Sequence, residues 1–322
     1  MKEMSISKKK SFRSTSKEDA SFGKRLQQDL ARHWGVYLLI VPALVYYVVF
    51  CYLPMAGASI AFKDFIPTKG IWGSEWAGFK HFEAFFSSYY FWRLLRNTLV
   101  ISLSSLAFGF PSCIIFALLL NEVRNNKFKR TIQTITYMPH FLSLVVACSL
   151  VKMFTMDTGV IPQFLSLFGF EPISLLSKSS YFVPIYVLSD IWQNVGWGSI
   201  IYLSALSAID PALYEAAIID GAGRWKQMLY VTLPGISSTI IIMFIMRVGS
   251  VMNVGFEKII LLYNEGIYET ADVISSFVYR KGLSDFQWSY SAAVGLFNSV
   301  INFLLVVIVN QISGKVSSTS LW

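Results

Sequence analysis

Six apolar runs alternate with polar segments along this 322-residue chain. A helix that crosses the hydrocarbon core of a bilayer needs about 20 predominantly apolar residues, and each run reaches that length. Because lipid offers no hydrogen-bond partner to the backbone, each run is expected to be a helix rather than an open strand. The runs cover residues 34–62, 94–120, 132–154, 184–206, 235–254 and 290–312. The pattern predicts an all-α integral membrane protein with six transmembrane helices.

Positive charge is concentrated in one set of the polar segments. Residues 1–33 contain nine Lys and Arg against four Asp and Glu, so they supply +5 of the formal net charge of +8. More basic residues lie between the second and third runs and between the fourth and fifth: Arg124, Lys127, Lys129, Arg130, Arg224 and Lys226. Short basic loops stay in the cytoplasm. The sequence therefore predicts a cytoplasmic tail over 1–33, a transmembrane domain over 34–312 and a cytoplasmic tail over 313–322.

The composition excludes several other classes of protein. Hydrophobic residues make up 54% of the chain and charged residues 14%, whereas a soluble domain carries about 25% charge. The basic tail lacks the stacking platform of interleaved aromatic residues that single-stranded nucleic acid requires. The three cysteines and three histidines show no metal-ligand spacing, and no phosphate-binding loop or catalytic motif occurs. We expect no enzyme activity, no metal site, no bound nucleotide and no nucleic-acid partner.

The polar segment 211–234, between the fourth and fifth runs, has the features of a short helix. Asp210 is suited to cap it and Pro211 to occupy its first position, where a missing N–H costs nothing. Ala216 and Ala217 lie on one stripe of this helix and are small enough to let another surface approach closely. These features alone fit an ordinary helical hairpin as well as an element that docks a partner.

The same segment resembles the signature of the permease subunits of binding-protein-dependent ABC importers. That signature reads Glu-Ala-Ala, three residues, Gly, nine residues, Ile, one residue, Leu-Pro. Here its positions are Glu215, Ala216, Ala217, Gly221, Val231, Leu233 and Pro234, with valine in place of isoleucine as the one departure. The resemblance implies that the segment is the coupling helix, which sits in a cleft of the ATPase subunit. The implied contact residues are Glu215, Ala216, Ala217, Asp220 and Gly221.

The resemblance covers most of the chain and points to carbohydrate permeases of the maltose-permease type. Residues 253–264, 269–283 and 289–313 resemble the oligosaccharide permeases of Gram-positive bacteria that carry polysaccharide, aldouronate or rhamnogalacturonan fragments. The resemblance implies the type I ABC importer permease fold in the cell membrane. The implied partners are a second related permease that forms a heterodimer with this chain, an ABC ATPase dimer, an extracellular substrate-binding lipoprotein, an oligosaccharide substrate and membrane lipid. ATP and Mg would be bound by the ATPase subunits and not by this chain.

The fourth run carries a polar face inside the membrane. Asp190, Gln193, Asn194 and Trp197 recur at spacings of three and four, which places them on one side of a helix. Polar residues within the membrane are costly and are functional candidates. An acid, two amides and an indole suit the hydroxyl groups and C–H faces of a sugar, and by resemblance these positions, counted back from Glu215, line the sugar site. Hydrogen bonding between helices is the alternative interpretation.

The fifth run completes the predicted substrate pathway with Arg247, Met252 and Asn253. Arg247 lies roughly 20 Å along the fifth helix, beyond the middle of the bilayer. Its guanidinium is expected to face a cavity or to pair with an acid, and Asp190 is the candidate partner.

Two functional classes remain open from the residues. The first is an ATP-driven importer subunit that works by alternating access with a separate ATPase. The second is a secondary transporter or channel without an ATPase partner, which would carry internal repeats and coupling charges in both halves. The sequence shows no such repeat, which favours the importer.

Overall fold

The computed structural model describes residues 22–317, with side chains for residues 31–315. The predicted N-terminal tail lies outside the described residues up to position 21, and so does the end of the predicted C-terminal tail over 318–322. The chain divides into two units, with the boundary between Gly57 and Ala58.

The unit that ends at Gly57 is one apolar helical stretch. Its helices are α1 (Phe22–Tyr46) and α2 (Leu53–Met55), joined by the wider helical turn Tyr47–Tyr52, and a 3₁₀ turn follows at Ala56–Phe62. The large apolar side chains of residues 31–57 are exposed almost throughout. These described side chains therefore form no core of their own, and their surface suits lipid or another apolar protein surface.

The unit from Ala58 onward is built from helices and one short antiparallel hairpin. The hairpin pairs β1 (Lys63–Asp64) with β2 (Glu75–Trp76). The helices are α3 (Gly70–Gly73), α4 (Lys80–Phe86), α5 (Phe91–Ser104), α6 (Phe110–Glu122), α7 (Asn126–Tyr137), α8 (Leu144–Thr155), α9 (Val160–Ser166), α10 (Ser179–Ser207), α11 (Pro211–Ile219), α12 (Arg224–Gln227), α13 (Leu233–Gly235), α14 (Ser237–Val248), α15 (Phe256–Leu262), α16 (Tyr268–Ala271), α17 (Ile274–Tyr279) and α18 (Trp288–Ser317). Tighter or wider helical turns lie at Ser105–Gly109, Met138–Phe141, Leu175–Ser177, Met228–Thr232, Glu265–Ile267 and Arg280–Ser284.

Four helical stretches among the described residues are long and apolar enough to cross a membrane: Ala31–Phe62, Phe91–Glu122, Leu144–Ser166 and Trp288–Lys315. A fifth is present if Arg224–Gly235 and Ser237–Val248, which meet at 61°, count as one broken span. The remaining predicted span corresponds to α10. That helix has 29 residues, but Asp190, Gln193 and Asn194 lower its mean hydropathy. Six spans therefore remain a prediction.

The third predicted span, 132–154, is not one continuous helix. The structure ends α7 before a turn at Pro139 and begins α8 after Ser143. Proline has no N–H to donate, and the Ser143 hydroxyl caps α8 by accepting the N–H of Val146 at 3.3 Å. The prediction merged the amphipathic helix α7, which has a basic face, with the apolar helix α8.

The fifth predicted span, 235–254, also differs from the structure. Its helix α14 ends at Val248, and irregular turns occupy residues 249–255. Gly249 packs tightly there, since a Cβ atom would lie 2.3 Å from Cγ2 of Val306 on α18. This early break brings Asn253 beside α15.

The long helix α10 contacts α5, α6, α7, α14 and α16. Its side chain Phe182 is fully buried in an apolar cluster with Ile259 and Leu262 of α15. Gly196 allows α10 to approach α7 closely, because a Cβ atom at this position would lie 2.3 Å from the carbonyl oxygen of Thr136. A backbone atom cannot move aside as a side chain can, so this contact requires glycine.

Gly196→Ala is therefore expected to lower the unfolding free energy by about 1–3 kcal/mol, because the two helices must separate to admit a methyl group. The unfolding temperature of the purified protein in detergent measures this effect. Gly295→Ala is the matched control on α18, where the added Cβ meets no atom within 4 Å. Alanine is the better helix former, so the control should be neutral or stabilising. Equal effects of the two substitutions would contradict the close approach.

A buried ion cluster fastens the segment after α16 to α5. Asp272 is fully buried, and its Oδ2 accepts a hydrogen bond from Arg280 Nη2 at 2.7 Å. Arg93 Nη2 of α5 lies 3.4 Å from the same oxygen, and the Ser276 hydroxyl donates to Oδ1 at 2.9 Å. Two cations and a hydroxyl thus satisfy one buried carboxylate, as buried charge requires.

Two further side chains of α5 bind the backbone of the same segment. The Asn97 amide donates to the carbonyl oxygens of Glu269 and Asp272 at 2.8 and 3.0 Å. The Thr98 hydroxyl accepts the N–H of Ile274 at 3.0 Å. These bonds hold the region between α14 and α18 in place beside the cavity described next.

Candidate functional site

A polar cavity of about 490 Å³ is lined by residues of α10, α14 and α15 and of the turns beside them. Its polar lining residues are His140, Asp190, Gln193, Asn194, Arg247, Asn253, Glu257 and Lys258. Five of these eight were predicted from the sequence as substrate-pathway residues: Asp190, Gln193, Asn194, Arg247 and Asn253. The structure brings them together because the polar face of α10 meets the early end of α14.

Hydrogen bonds order the polar face of α10. The Asn194 amide donates to Asp190 Oδ1 at 3.0 Å, one helical turn away. The Oδ1 atom of Asn194 lies 3.1 Å from Nδ1 of His140. Trp197 does not line the cavity, but its ring stacks on that of His140 with centroids 4.7 Å apart and planes 5° apart. Trp197 therefore acts at the cavity wall through His140.

Two cations flank the carboxylate of Asp190. Arg247 Nη2 lies 3.9 Å from Oδ2, so the pair expected from the sequence is present. Lys258 Nζ lies 3.6 Å from Oδ1. The Lys258 ammonium also donates to the backbone carbonyl of Tyr186 at 3.2 Å and lies 4.6 Å from the centre of the Tyr186 ring. The buried Lys258 is thus held on three sides.

Met252, predicted as a pathway residue, lies outside this cavity. Its side chain is buried in an apolar cluster with Leu94 and Ile274. Its backbone N–H donates to Oδ1 of Asn302 on α18 at 3.0 Å. This bond forms in the turn after α14, beyond the end of the helix that the fifth run predicted.

Asn253 turns the opposite way from Met252 and borders a second cavity of about 650 Å³. Its Oδ1 accepts from the Asn298 amide of α18 at 2.9 Å. Phe256 borders both cavities, and its ring stacks on Tyr279 with centroids 5.6 Å apart. The two cavities therefore share a wall that carries an amide and an aromatic ring.

The segment 211–234 has the expected helix caps. Asp210 Oδ1 accepts the N–H of Ala212 at 2.9 Å, with Pro211 in the first turn, so the predicted N-cap is confirmed. At the other end, Gly221 has φ +75°. The N–H groups of Gly221 and Ala222 donate to the carbonyls of Ile218 and Ala217 at 3.0 and 2.8 Å. This is a Schellman motif, in which a left-handed glycine ends the helix.

The surface of this segment is apolar and open. Glu215 is exposed and forms neither a hydrogen bond nor an ion pair within the described part of the chain. The large exposed side chains of segment 211–234 include Leu213, Ile218, Ile219, Trp225, Leu229 and Tyr230, with Ile219 85% exposed. Ala216, Asp220 and Gly221 are also exposed, whereas Ala217 is half-buried.

The structure identifies three polar cavity residues that the sequence did not assign to the pathway: His140, Glu257 and Lys258. The sequence suggested no pathway role for His140, whose ring the turn Met138–Phe141 brings against Asn194 of α10. Lys258 was not assigned either. The available signal was its position in Phe256–Leu262, where a lysine stands among apolar residues and so requires a buried counter-charge.

Comparison with known proteins assigns the family. Residues 109–318 match the profile of the binding-protein-dependent transport system inner membrane component. This chain belongs to that family. The matched region contains α10, the segment 211–234 and the polar cavity, so the features described above lie within the family's own domain. The chain is a multi-pass component of the cell membrane.

Three relatives resemble this permease over nearly its whole length. Protein LplB of Bacillus subtilis (strain 168) is 46% identical over 294 residues, which are 91% of this chain and 92% of LplB. The polygalacturonan/rhamnogalacturonan transport system permease protein YteP of the same organism is 45% identical over 293 residues, 91% of each chain. A chain of a bacterial alginate ABC transporter, solved with an alginate pentasaccharide-bound periplasmic protein, is 41% identical with a TM-score of 0.85, covering 92% of this chain and 100% of its own.

These comparisons decide between the two functional classes. A family of binding-protein-dependent components works within an assembly, so a stand-alone secondary transporter or channel is not the function of this permease. Its relatives are transport components rather than enzymes.

Proposed function

We propose that this permease carries an oligosaccharide released from a polysaccharide through the cell membrane of a Gram-positive bacterium, driven by a separate ATPase. The observation that carries this proposal is the polar cavity of about 490 Å³ among apolar helices. Its amides, acid and cations can bond sugar hydroxyls, and cavities of several hundred Å³ are the usual size for small ligands. YteP, a polygalacturonan/rhamnogalacturonan transport permease, and the alginate transporter support the substrate class.

The segment 211–234 is proposed as the coupling element. Its short helix α11 is capped at both ends, and its exposed apolar residues suit insertion into a cleft of an ATPase subunit. Glu215, Ala216, Ala217, Asp220 and Gly221 are the proposed contact positions. ATP and Mg bind to the ATPase dimer in this proposal, because the sequence has no phosphate-binding loop.

The remaining partners follow from the incomplete surfaces of the chain. The apolar side chains of α1 from residue 31 onward are exposed, which suits contact with lipid and with a second, related permease. A substrate-binding lipoprotein would deliver the sugar from outside, and the alginate transporter solved with its periplasmic protein supports this. Alternating access would then result from rigid-body motion of the paired bundles.

We propose that the chain crosses the membrane six times with both termini in the cytoplasm. In this proposal α10 is the sixth span. Its polar residues lower its mean hydropathy, and its polar face meets the cavity instead of lipid. Basic residues near α6 and α7 and in segment 211–234 support a cytoplasmic position for these loops.

Reconstitution tests this function directly. The permease is purified after co-expression with a related second permease and an ABC ATPase from the same organism, and placed in proteoliposomes that contain ATP and Mg. Uptake of radiolabelled oligosaccharides from a partial polygalacturonan digest is measured with and without the binding protein outside. We expect uptake that requires both ATP and the binding protein. Uptake that continues without ATP, or failure of any ATPase to co-purify, would contradict the proposal.

A further inference from the structure

The guanidinium of Arg247 has unused hydrogen-bonding capacity. Its side chain is 49% exposed, and it forms no hydrogen bond among the described residues. Its one charge contact is Asp190 Oδ2 at 3.9 Å, which is too long for a hydrogen bond. Arginine presents five N–H donors in a planar fork. Inside an apolar bundle these donors require an acceptor, and the cavity is where one can bind.

The carboxylate of Asp190 has closer partners than Arg247. Its Oδ1 accepts the Asn194 amide at 3.0 Å and lies 3.6 Å from Lys258 Nζ. The Lys258 side chain is 7% exposed and is anchored to the carbonyl and ring of Tyr186, so its charge cannot move into the cavity. Lys258 and Asp190 therefore neutralise each other inside the wall. Arg247 remains as a positive charge that no fixed partner saturates.

From this arrangement we propose that Arg247 binds a carboxylate of the transported oligosaccharide, and that Lys258 makes this possible by neutralising Asp190. This inference rests on the proposed function and narrows its substrate class to oligosaccharides that contain uronic acids. A carboxylate matches the guanidinium fork with two parallel hydrogen bonds, a geometry that a sugar hydroxyl does not offer.

The other charge in the cavity helps to define the site. Glu257 lines the cavity from the first turn of α15 and forms no ion pair within 4.0 Å among the described residues. Its negative charge opposes an acidic ligand, so a uronate carboxylate binds on the Arg247 side. Glu257→Gln is expected to strengthen binding of acidic ligands and to leave neutral ligands unchanged.

The test compares one acidic probe with its neutral counterpart. The purified complex in nanodiscs is titrated with radiolabelled trigalacturonate and with the same trisaccharide after reduction of its carboxyl groups, in the absence of the binding protein. Arg247→Gln is expected to weaken trigalacturonate binding about 10- to 100-fold, since hydrogen bonds to charged groups contribute about 1.5–3 kcal/mol. Binding of the reduced probe should change by less than about threefold. Arg96→Gln removes the same charge from an exposed position on α5 and should affect neither probe.

The role of Lys258 has its own test. In Lys258→Met, Asp190 has only Arg247 to pair with, so trigalacturonate binding should fall although Arg247 is intact. Adding Asp190→Asn to Lys258→Met removes the competing carboxylate and should restore acidic binding. Asp190→Asn would also relieve a structural effect of the unpaired carboxylate, so the readout is the ratio of trigalacturonate binding to reduced-probe binding, which a structural effect alone leaves unchanged. Asp190→Asn alone keeps both cations and should retain or raise this ratio, which tests the argument even where Lys258→Met does not fold.

The outcomes separate this inference from the proposed function. Equal losses for acidic and reduced probes in Arg247→Gln, or no loss, would overturn the inference while ATP-dependent uptake by the unaltered permease still stands. Absence of ATP-dependent uptake for every oligosaccharide would remove the proposed function itself. Selective loss of the acidic probe, together with rescue by Asp190→Asn, supports the inference.

Discussion

Asp272→Ala is expected to prevent most of the permease from reaching its folded state. The Asp272 carboxylate is fully buried and lies 2.7 Å from Arg280 and 3.4 Å from Arg93. Removing it leaves two guanidinium groups, each about three-quarters buried, without their counter-charge. Breaking a buried ion pair from one side costs about 3–5 kcal/mol, which is a large part of the roughly 5–15 kcal/mol that keeps a domain folded.

The yield of monodisperse protein and its unfolding temperature in detergent measure this effect. Asp285→Ala is the matched control, because Asp285 also pairs at 2.7 Å, with Lys281, but at an exposed position. Exposed pairs contribute about 0–1 kcal/mol, so the control should fold normally. Asp272→Asn retains acceptor capacity for Ser276 and Arg280 and should be intermediate. If Asp272→Ala and Asp285→Ala behaved alike, the buried cluster would not stabilise this region.

Glu215→Ala is expected to abolish ATP-driven uptake while the permease still folds. The Glu215 side chain is exposed and unpaired within the described residues, so its removal leaves no buried group unsatisfied in this chain. The prediction takes Glu215 to pair with a basic group of the ATPase in the proposed contact, and truncating one partner of a buried charge pair across an interface costs about 2–5 kcal/mol. Association with the ATPase should therefore weaken about 30-fold or more.

Co-purification of the ATPase and ATP-dependent uptake measure this effect. Glu171→Ala, an exposed glutamate in the loop between α9 and α10, is the control and should leave both unchanged. Glycine substitutions probe the shape of the same segment. Gly221→Ala places a Cβ atom on a backbone with φ +75°, so it should lower the unfolding free energy by about 1–2 kcal/mol. Gly223 has φ −68° and should accept alanine without this loss. Full uptake by Glu215→Ala would remove this residue from the coupling contact.

Local sequence patterns predicted much of the fold. Runs of apolar residues can be read directly from the sequence, so four of the six predicted spans have apolar helical counterparts, and a fifth does if the pair bent by 61° counts as one span. The Asp210 cap is a contact between neighbours in sequence and was predicted in full. The polar face of α10 was also predictable, because a regular helix converts spacings of three and four into one side. That regularity is why Asp190, Gln193 and Asn194 line a single cavity.

Helical periodicity does not predict the direction of side chains beyond the end of a helix. Met252 and Asn253 lie in irregular turns after Val248, so their directions follow no helical period, and Met252 is buried in the core instead of the cavity. The turn at Pro139 separates α7 from α8, which the hydropathy pattern had joined into one predicted span. The close approach of Gly196 on α10 to the Thr136 carbonyl near the end of α7 is a contact between helices, which hydropathy does not register.

The sequence by itself determined that this is a helical membrane protein, placed a capped polar segment between two apolar runs, and put an acid and two amides on one face of α10. Only the tertiary structure decided which charged side chains pair with each other. Lys258 is 68 residues from Asp190 in sequence, and the two meet because α15 folds back against α10 after the early end of α14. Charge pairing depends on distances between side chains of different helices, and no local pattern encodes those distances. That pairing is what leaves the guanidinium of Arg247 open to the cavity.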